Sequence, residues 1–198
     1  MNLYRISPGH IEASAFKPVH PAIPANAFQS EDSTIPRVCL AKSLDGCLTA
    51  LSPSAVGINL LWSAVQKHPQ GTPISKILSE IFESVEIPYT VLEFEVGERE
   101  PDFWPTSKVA RYVPDAFYTG ECWLLKSAEP VDIRHMWLVS GDIVTSRIAI
   151  GGKKWRYMEV KNSVWSSSAQ CASRDFVQRL LELAREQLKN EWKEQHQS

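Results

Sequence analysis

Tyr4-Arg5, Lys42-Ser43 and Gly120-Glu121 place an arginine, a hydroxyl and a carboxylate at the ends or turns of apolar segments. Arginine presents a planar fork of donors that matches phosphate or hydroxyl oxygens. A hydroxyl where a strand turns into a helix lies beside free backbone N–H groups, which can also bind an anion. Residues 3–6, 36–51 and 119–125 together therefore suggest a nucleotide site.

The elements that must position these residues follow from pattern. Residues 3–6 open with aromatic and branched side chains that favour a strand, and Ser7-Pro8-Gly9 has the turn chemistry to stop it. Val38–Ala41 is a continuous apolar run, as in a strand covered on both faces. Ser43 then caps a helix over 44–51, with Asp45 near its positive end and despite Gly46. Between these strands, Pro18, Pro21, Pro24 and Pro36 fix φ and remove backbone donors, so 18–36 is expected as a long surface loop. Loops of that length are often functional.

Further on, residues 55–66 read as an apolar helix or buried irregular segment, and 73–85 as an amphipathic helix. Residues 89–96 alternate as a strand with Glu93 and Glu95 on the wet side, 97–107 read as a loop, and 110–119 as a loop feeding the next strand. Strands follow over 122–125 and 131–139, then 143–150 and 155–160 flank Gly151-Gly152, a hairpin turn. Phe176, Leu180, Ala184, Leu188 and Trp192 share the face of a C-terminal amphipathic helix that frays from Lys193. The class is α+β, a mostly antiparallel sheet with helices packed on it. At 198 residues one domain is expected, a core over 1–139 followed by the hairpin and C-terminal helix over 140–198.

Composition removes several function classes. With 21 basic and 23 acidic residues the formal charge is −2, so no global field draws the chain to nucleic acid or an anionic membrane. Its longest apolar-rich stretch, 56–65, is too short to span a bilayer, and the N-terminus has no signal-peptide pattern, which points to a soluble, cytoplasmic protein. Cys39, Cys47, Cys122 and Cys171 show no metal spacing and read as reduced core thiols, so no metal is expected. The seven tryptophans either close a core or line a surface.

The three segments, taken in order, resemble the ADP-ribosyltransferase fold, most nearly small single-domain bacterial members such as rifampin ADP-ribosyltransferases, and RES-type NAD-consuming toxins. The resemblance covers roughly residues 3 to 139 and rests on order and spacing. In that superfamily the first strand presents a His or Arg to the NAD ribose, the second an aromatic or hydroxyl residue at the nicotinamide pocket, and a later strand an acidic residue. The resemblance thus implies Arg5 and Glu121 as catalytic residues, and Tyr4, Arg5, Lys42 and Ser43 as the residues binding NAD, which is a substrate here. NAD cleavage develops positive charge on the ribose, and a carboxylate beside it stabilises the transition state more than the ground state. The acceptor would be a protein or a small molecule.

The same residues have plainer readings. Arg5 can be an outward strand residue pairing with a carboxylate, Ser43 a helix cap, and Glu121 a solvated charge at the start of a strand. Asp115, Tyr118 and Arg111 are further candidates for the pocket. The chain lacks the family's His on the first strand and its Ser-Thr-Ser run, so a catalytically inactive interaction module, of phage or prophage origin, is the alternative. Cys47 with His20 or His135 has no local thiol-protease signature. Lys153, Lys154 and Arg156 among Trp155 and Tyr157 suit either a solvated hairpin or a local nucleic-acid contact.

Overall fold

A computed structural model describes residues 1–9, 11–12, 15–21, 31–51, 69–72, 75–76, 79, 86–139, 142–150, 152–161, 186 and 189–190. The expected helix over 55–66, nearly all of those over 73–85 and 176–192, and Cys171 lie outside the described residues.

The elements among the described residues begin with β1 (Asn2–Pro8), β2 (Val38–Ala41), α1 (Leu44–Ala50), β3 (Glu86–Glu95) and β4 (Phe103–Trp104). After them come α2 (Thr106–Val109), α3 (Ala116–Thr119), β5 (Glu121–Leu124), β6 (Asp132–Val139), β7 (Ile143–Ile150) and β8 (Lys153–Val160). Six strands form one sheet in the order β4-β5-β2-β1-β3-β6, every neighbouring pair antiparallel. The protein is α+β, mostly antiparallel sheet with a few helices. The β7–β8 hairpin forms a second sheet, with Ile150 opposite Lys153 and Gly152 at φ 79°, as its two-glycine turn requires.

Pairing across the large sheet is uneven. β1 runs along β3 from Asn2 opposite Glu95 to Pro8 opposite Tyr89, and β2 along β5 from Val38 opposite Leu124 to Ala41 opposite Glu121. Between β1 and β2 a single pair is in register, Tyr4 opposite Ala41. That seam divides the sheet into two halves, β4-β5-β2 and β1-β3-β6.

Each face of the sheet is fixed by apolar burial that spans both halves. Leu3, Leu40, Leu92, Phe94 and Leu124 pack in one cluster, while Ile6, Leu48, Tyr89, Val91 and Leu138 pack in another with Ile143 and Met158 of the hairpin. Alternation along β1 and β3 separates the two sets onto opposite faces. Helix α1 starts as its sequence dictates: the Gly46 backbone N–H donates to Ser43 Oγ at 3.0 Å, with Asp45 in the first turn. Gly46 itself is needed for space, since a Cβ there would lie 2.3 Å from the Thr119 carbonyl oxygen.

Several segment limits differ from those expected. Residues 97–107 hold β4 and the start of α2, because Phe103 and Trp104 pair with Leu124 and Trp123, the first burying its ring and the second stacking on Trp123. Residues 110–119 contain α3, which Gly120 ends in the left-handed conformation at φ 69°. β1 continues through Ser7 and Pro8, whose backbone pairs with Thr90 and Tyr89. β3 begins at Glu86, and its fully buried stretch 87–92 explains why only its end alternates.

Candidate functional site

Antiparallel register lays Tyr4, Ala41 and Glu121 side by side across β1, β2 and β5. These three border a cavity of about 230 Å³, lined also by Arg5, Glu31 and Arg37 and floored by Cys39, Cys47 and Leu51. The structure thus brings Tyr4, Arg5 and Glu121 to one place. Lys42 and Ser43 are exposed and are not among the described lining residues; the Ser43 hydroxyl is engaged as the cap of α1. The plain reading of Ser43 therefore holds, whereas Arg5 pairs with no described carboxylate and Glu121 is not a solvated charge.

Arg5 crosses the seam. Its Nη1 donates to the Cys39 carbonyl oxygen at 3.3 Å, filling an acceptor on β2, and its guanidinium lies 5.3 Å from the centre of the Phe16 ring. Its buried Nε has no partner among the described residues. Cys47 Sγ donates to the Tyr4 carbonyl oxygen at 3.1 Å and holds the other side of the same seam.

Glu121 is oriented from its own strand. Trp123, on the same face of β5, donates Nε1–H to Glu121 Oε1 at 2.6 Å, and the Cys39 thiol adds a second bond. Burial raises the Glu121 pKa above its ordinary 4.5, against the lowering effects of these bonds and of Arg37, with the charge of Asp115 adding to the rise. The indole is immobilised in turn. Arg37 lies 3.9 Å over its ring, Trp104 stacks on it at 5.7 Å, and Lys108 lies 3.7 Å over Trp104.

Glu31 and Arg37 are site residues that pattern reasoning did not single out, though the proline-rich surface loop expected over 18–36 supplies Pro21 and Glu31 to the cavity. Arg37 is 2% exposed. It donates through Nη1 to the Asp32 and Ile35 carbonyl oxygens at 2.7 and 3.3 Å, and its Nη2 lies 3.7 Å from Glu31 Oε1. Asp32 Oδ1 accepts from the Thr34 and Ile35 backbone N–H groups, closing a turn that sets where Glu31 stands. Burial, then the charges of Glu121 and Asp115, raise the Glu31 pKa, against Arg37. The signal available in sequence was Pro36-Arg37, a charge at the start of an otherwise buried strand.

The remaining candidates are placed elsewhere. Asp115 Oδ2 accepts from the Tyr157 hydroxyl at 3.0 Å, and Tyr118 donates to Glu159, so both tie α3 to the hairpin. Arg111 is exposed. Cys39 and Cys47 are free thiols pushed up to about 12, chiefly by burial, which leaves Cys47 no nucleophilic thiolate. On the hairpin Lys154 is exposed and Tyr157 buried, while the side chains of Lys153, Trp155 and Arg156 lie outside those described. Among the described residues no group of His, Cys, Asp and Glu could hold a metal ion, and no helix is long and apolar enough to cross a membrane.

The fold and site define an α+β protein with carboxylates and guanidinium groups gathered in a cavity at a sheet seam. Set against models of known families, curated proteins and solved structures, the chain finds no match.

Proposed function

We propose that the protein is an NAD-consuming enzyme of ADP-ribosyltransferase type, passing ADP-ribose to an acceptor or, with water as acceptor, acting as an NAD glycohydrolase. The observation that carries this reading is that Arg5 and Glu121, distant in sequence, line one cavity on either side of β2. Those are the strand positions from which the resemblance draws its arginine and its acidic residue. The cavity, at about 230 Å³, is below the roughly 300 Å³ at which sites for whole drug-sized ligands begin. It suits the nicotinamide-ribose end of the dinucleotide, with the adenosine half outside.

In this reading the bond between ribose C1′ and the nicotinamide nitrogen breaks, and its electron pair leaves with neutral nicotinamide. Glu121, held in place by Trp123, faces the positive charge that builds on the ribose. Arg5, which lines the cavity, donates to ribose or phosphate oxygens. Calorimetric titration with NAD, followed by assay for released nicotinamide, tests the proposal. Binding with release that Glu121→Gln abolishes is the expected outcome. No binding at millimolar NAD would favour the silent interaction module, the reading that the engaged Ser43 hydroxyl supports.

A further inference from the structure

Two carboxylates border the cavity, and they sit at different depths. Glu121 lies against the sheet, bonded to a fully buried indole. Glu31 comes from the loop, is the less buried of the two, and has a side chain 22% exposed. Between them stands Arg37, whose side chain is 1% exposed and whose Nε has no partner among the described residues. Arg37 is one of the residues that line the cavity. Glu31 meets that guanidinium at one oxygen only, at 3.7 Å.

We propose that Glu31 is the general base of the transfer step, taking the proton of the incoming acceptor at the mouth of the cavity. This rests on the NAD reading above. An acceptor must reach ribose C1′ from solvent, on the side where Glu31 stands, while Glu121 faces the ribose from within. The acceptor oxygen or nitrogen forms the new bond to C1′ and loses its proton to the Glu31 carboxylate. The C1′–nicotinamide bond breaks with its electron pair on nicotinamide. The exposed edge of Glu31 then returns the proton to water. Two carboxylates divided between charge stabilisation and proton transfer are a known solution for glycosidic bonds. The raised pKa of Glu31 suits it to accept a proton.

Azide tests this, because the anion attacks C1′ without giving up a proton. Wild type, Glu31→Gln and Glu121→Gln are compared for NAD binding and for nicotinamide release, with and without sodium azide. Glu31→Gln is expected to bind NAD as wild type does and to release nicotinamide about 100-fold more slowly or less. Azide restores its release and leaves ADP-ribosyl azide, visible by mass; it does not restore Glu121→Gln. Glu31→Ala, with more room for the anion, repeats the measurement should the glutamine variant be poorly folded. Unchanged release in the Glu31 variants, or a loss that azide does not repair, overturns the assignment. A wild type that neither binds nor cleaves NAD overturns the NAD reading itself, and this inference with it.

Discussion

Trp123 and Glu121 stand two residues apart on β5, and the indole Nε1–H of the first holds the carboxylate of the second at 2.6 Å. The bond lowers a pKa that burial pushes up. Trp123→Phe keeps a ring under Arg37 but deletes the donor together with part of the buried ring volume. The Glu121 pKa then rises further, so the acid limb of the nicotinamide-release profile moves to higher pH. Urea unfolding should show a loss of about 1–3 kcal/mol, the usual cost of a missing partner to a charged group.

Glu121→Gln separates chemistry from folding. Turnover falls by about 100-fold or more, since the fixed charge facing the ribose is gone. Stability follows the opposite course. The folded pKa lies above the unfolded 4.5, so as pH rises from 4.5 the unfolded chain loses its proton first and wild-type stability falls until the folded group has also ionised. Glutamine has no such window. Urea unfolding at pH 4 and pH 7 should show wild type losing stability relative to the variant as pH rises.

Gly46→Ala reverses an ordinary rule. In an exposed helix interior alanine gains about 1 kcal/mol over glycine. Here the new Cβ would fall 2.3 Å from the Thr119 carbonyl oxygen, a backbone atom just before Glu121. Overpacking of this kind costs about 1–3 kcal/mol. Thermal unfolding should show a lowered midpoint, and turnover should fall with it because the start of β5 is displaced.

The hairpin is fastened to α3 and its cap by Tyr157–Asp115 and by Tyr118 on Glu159, a carboxylate that Ser146 of the same hairpin also holds. Tyr157→Phe leaves the Asp115 carboxyl without its hydroxyl donor, and its pKa, already raised by burial, rises further. A loss of about 1–2 kcal/mol is expected in urea. Combined with Asp115→Asn, the effects should fall short of additive in a double-mutant cycle.

What could be read from sequence divides along physical lines. The apolar run of Val38–Ala41, the Ser43 cap and the two-glycine hairpin are local signals, and each element forms where its signal lies. Short elements differ from expectation: β4 and α3 have little pattern of their own and form because Phe103 and Trp104 pair with Leu124 and Trp123, and because Ala116 is buried with Val109, Val113 and Trp123. At the site, Arg5 and Glu121 stand out as charges beside apolar strands. Glu31 and Arg37 act through a turn closed by Asp32 and through stacking on Trp123, relationships that only the tertiary structure supplies.

The seam between β1 and β2 gives the sheet a direction of weakness. Its polar ties are few: one backbone pair and the Arg5 bond to Cys39 join the halves directly, and the Cys47 bond to Tyr4 joins α1 to β1, while apolar packing of Leu3 and Leu92 with Leu40 and Leu124 crosses beneath. A molecule seated in the cavity touches Tyr4 and Arg5 on one half and Cys39, Ala41 and Glu121 on the other. It would act as a rivet where backbone pairing is thinnest, so binding would also strengthen the sheet.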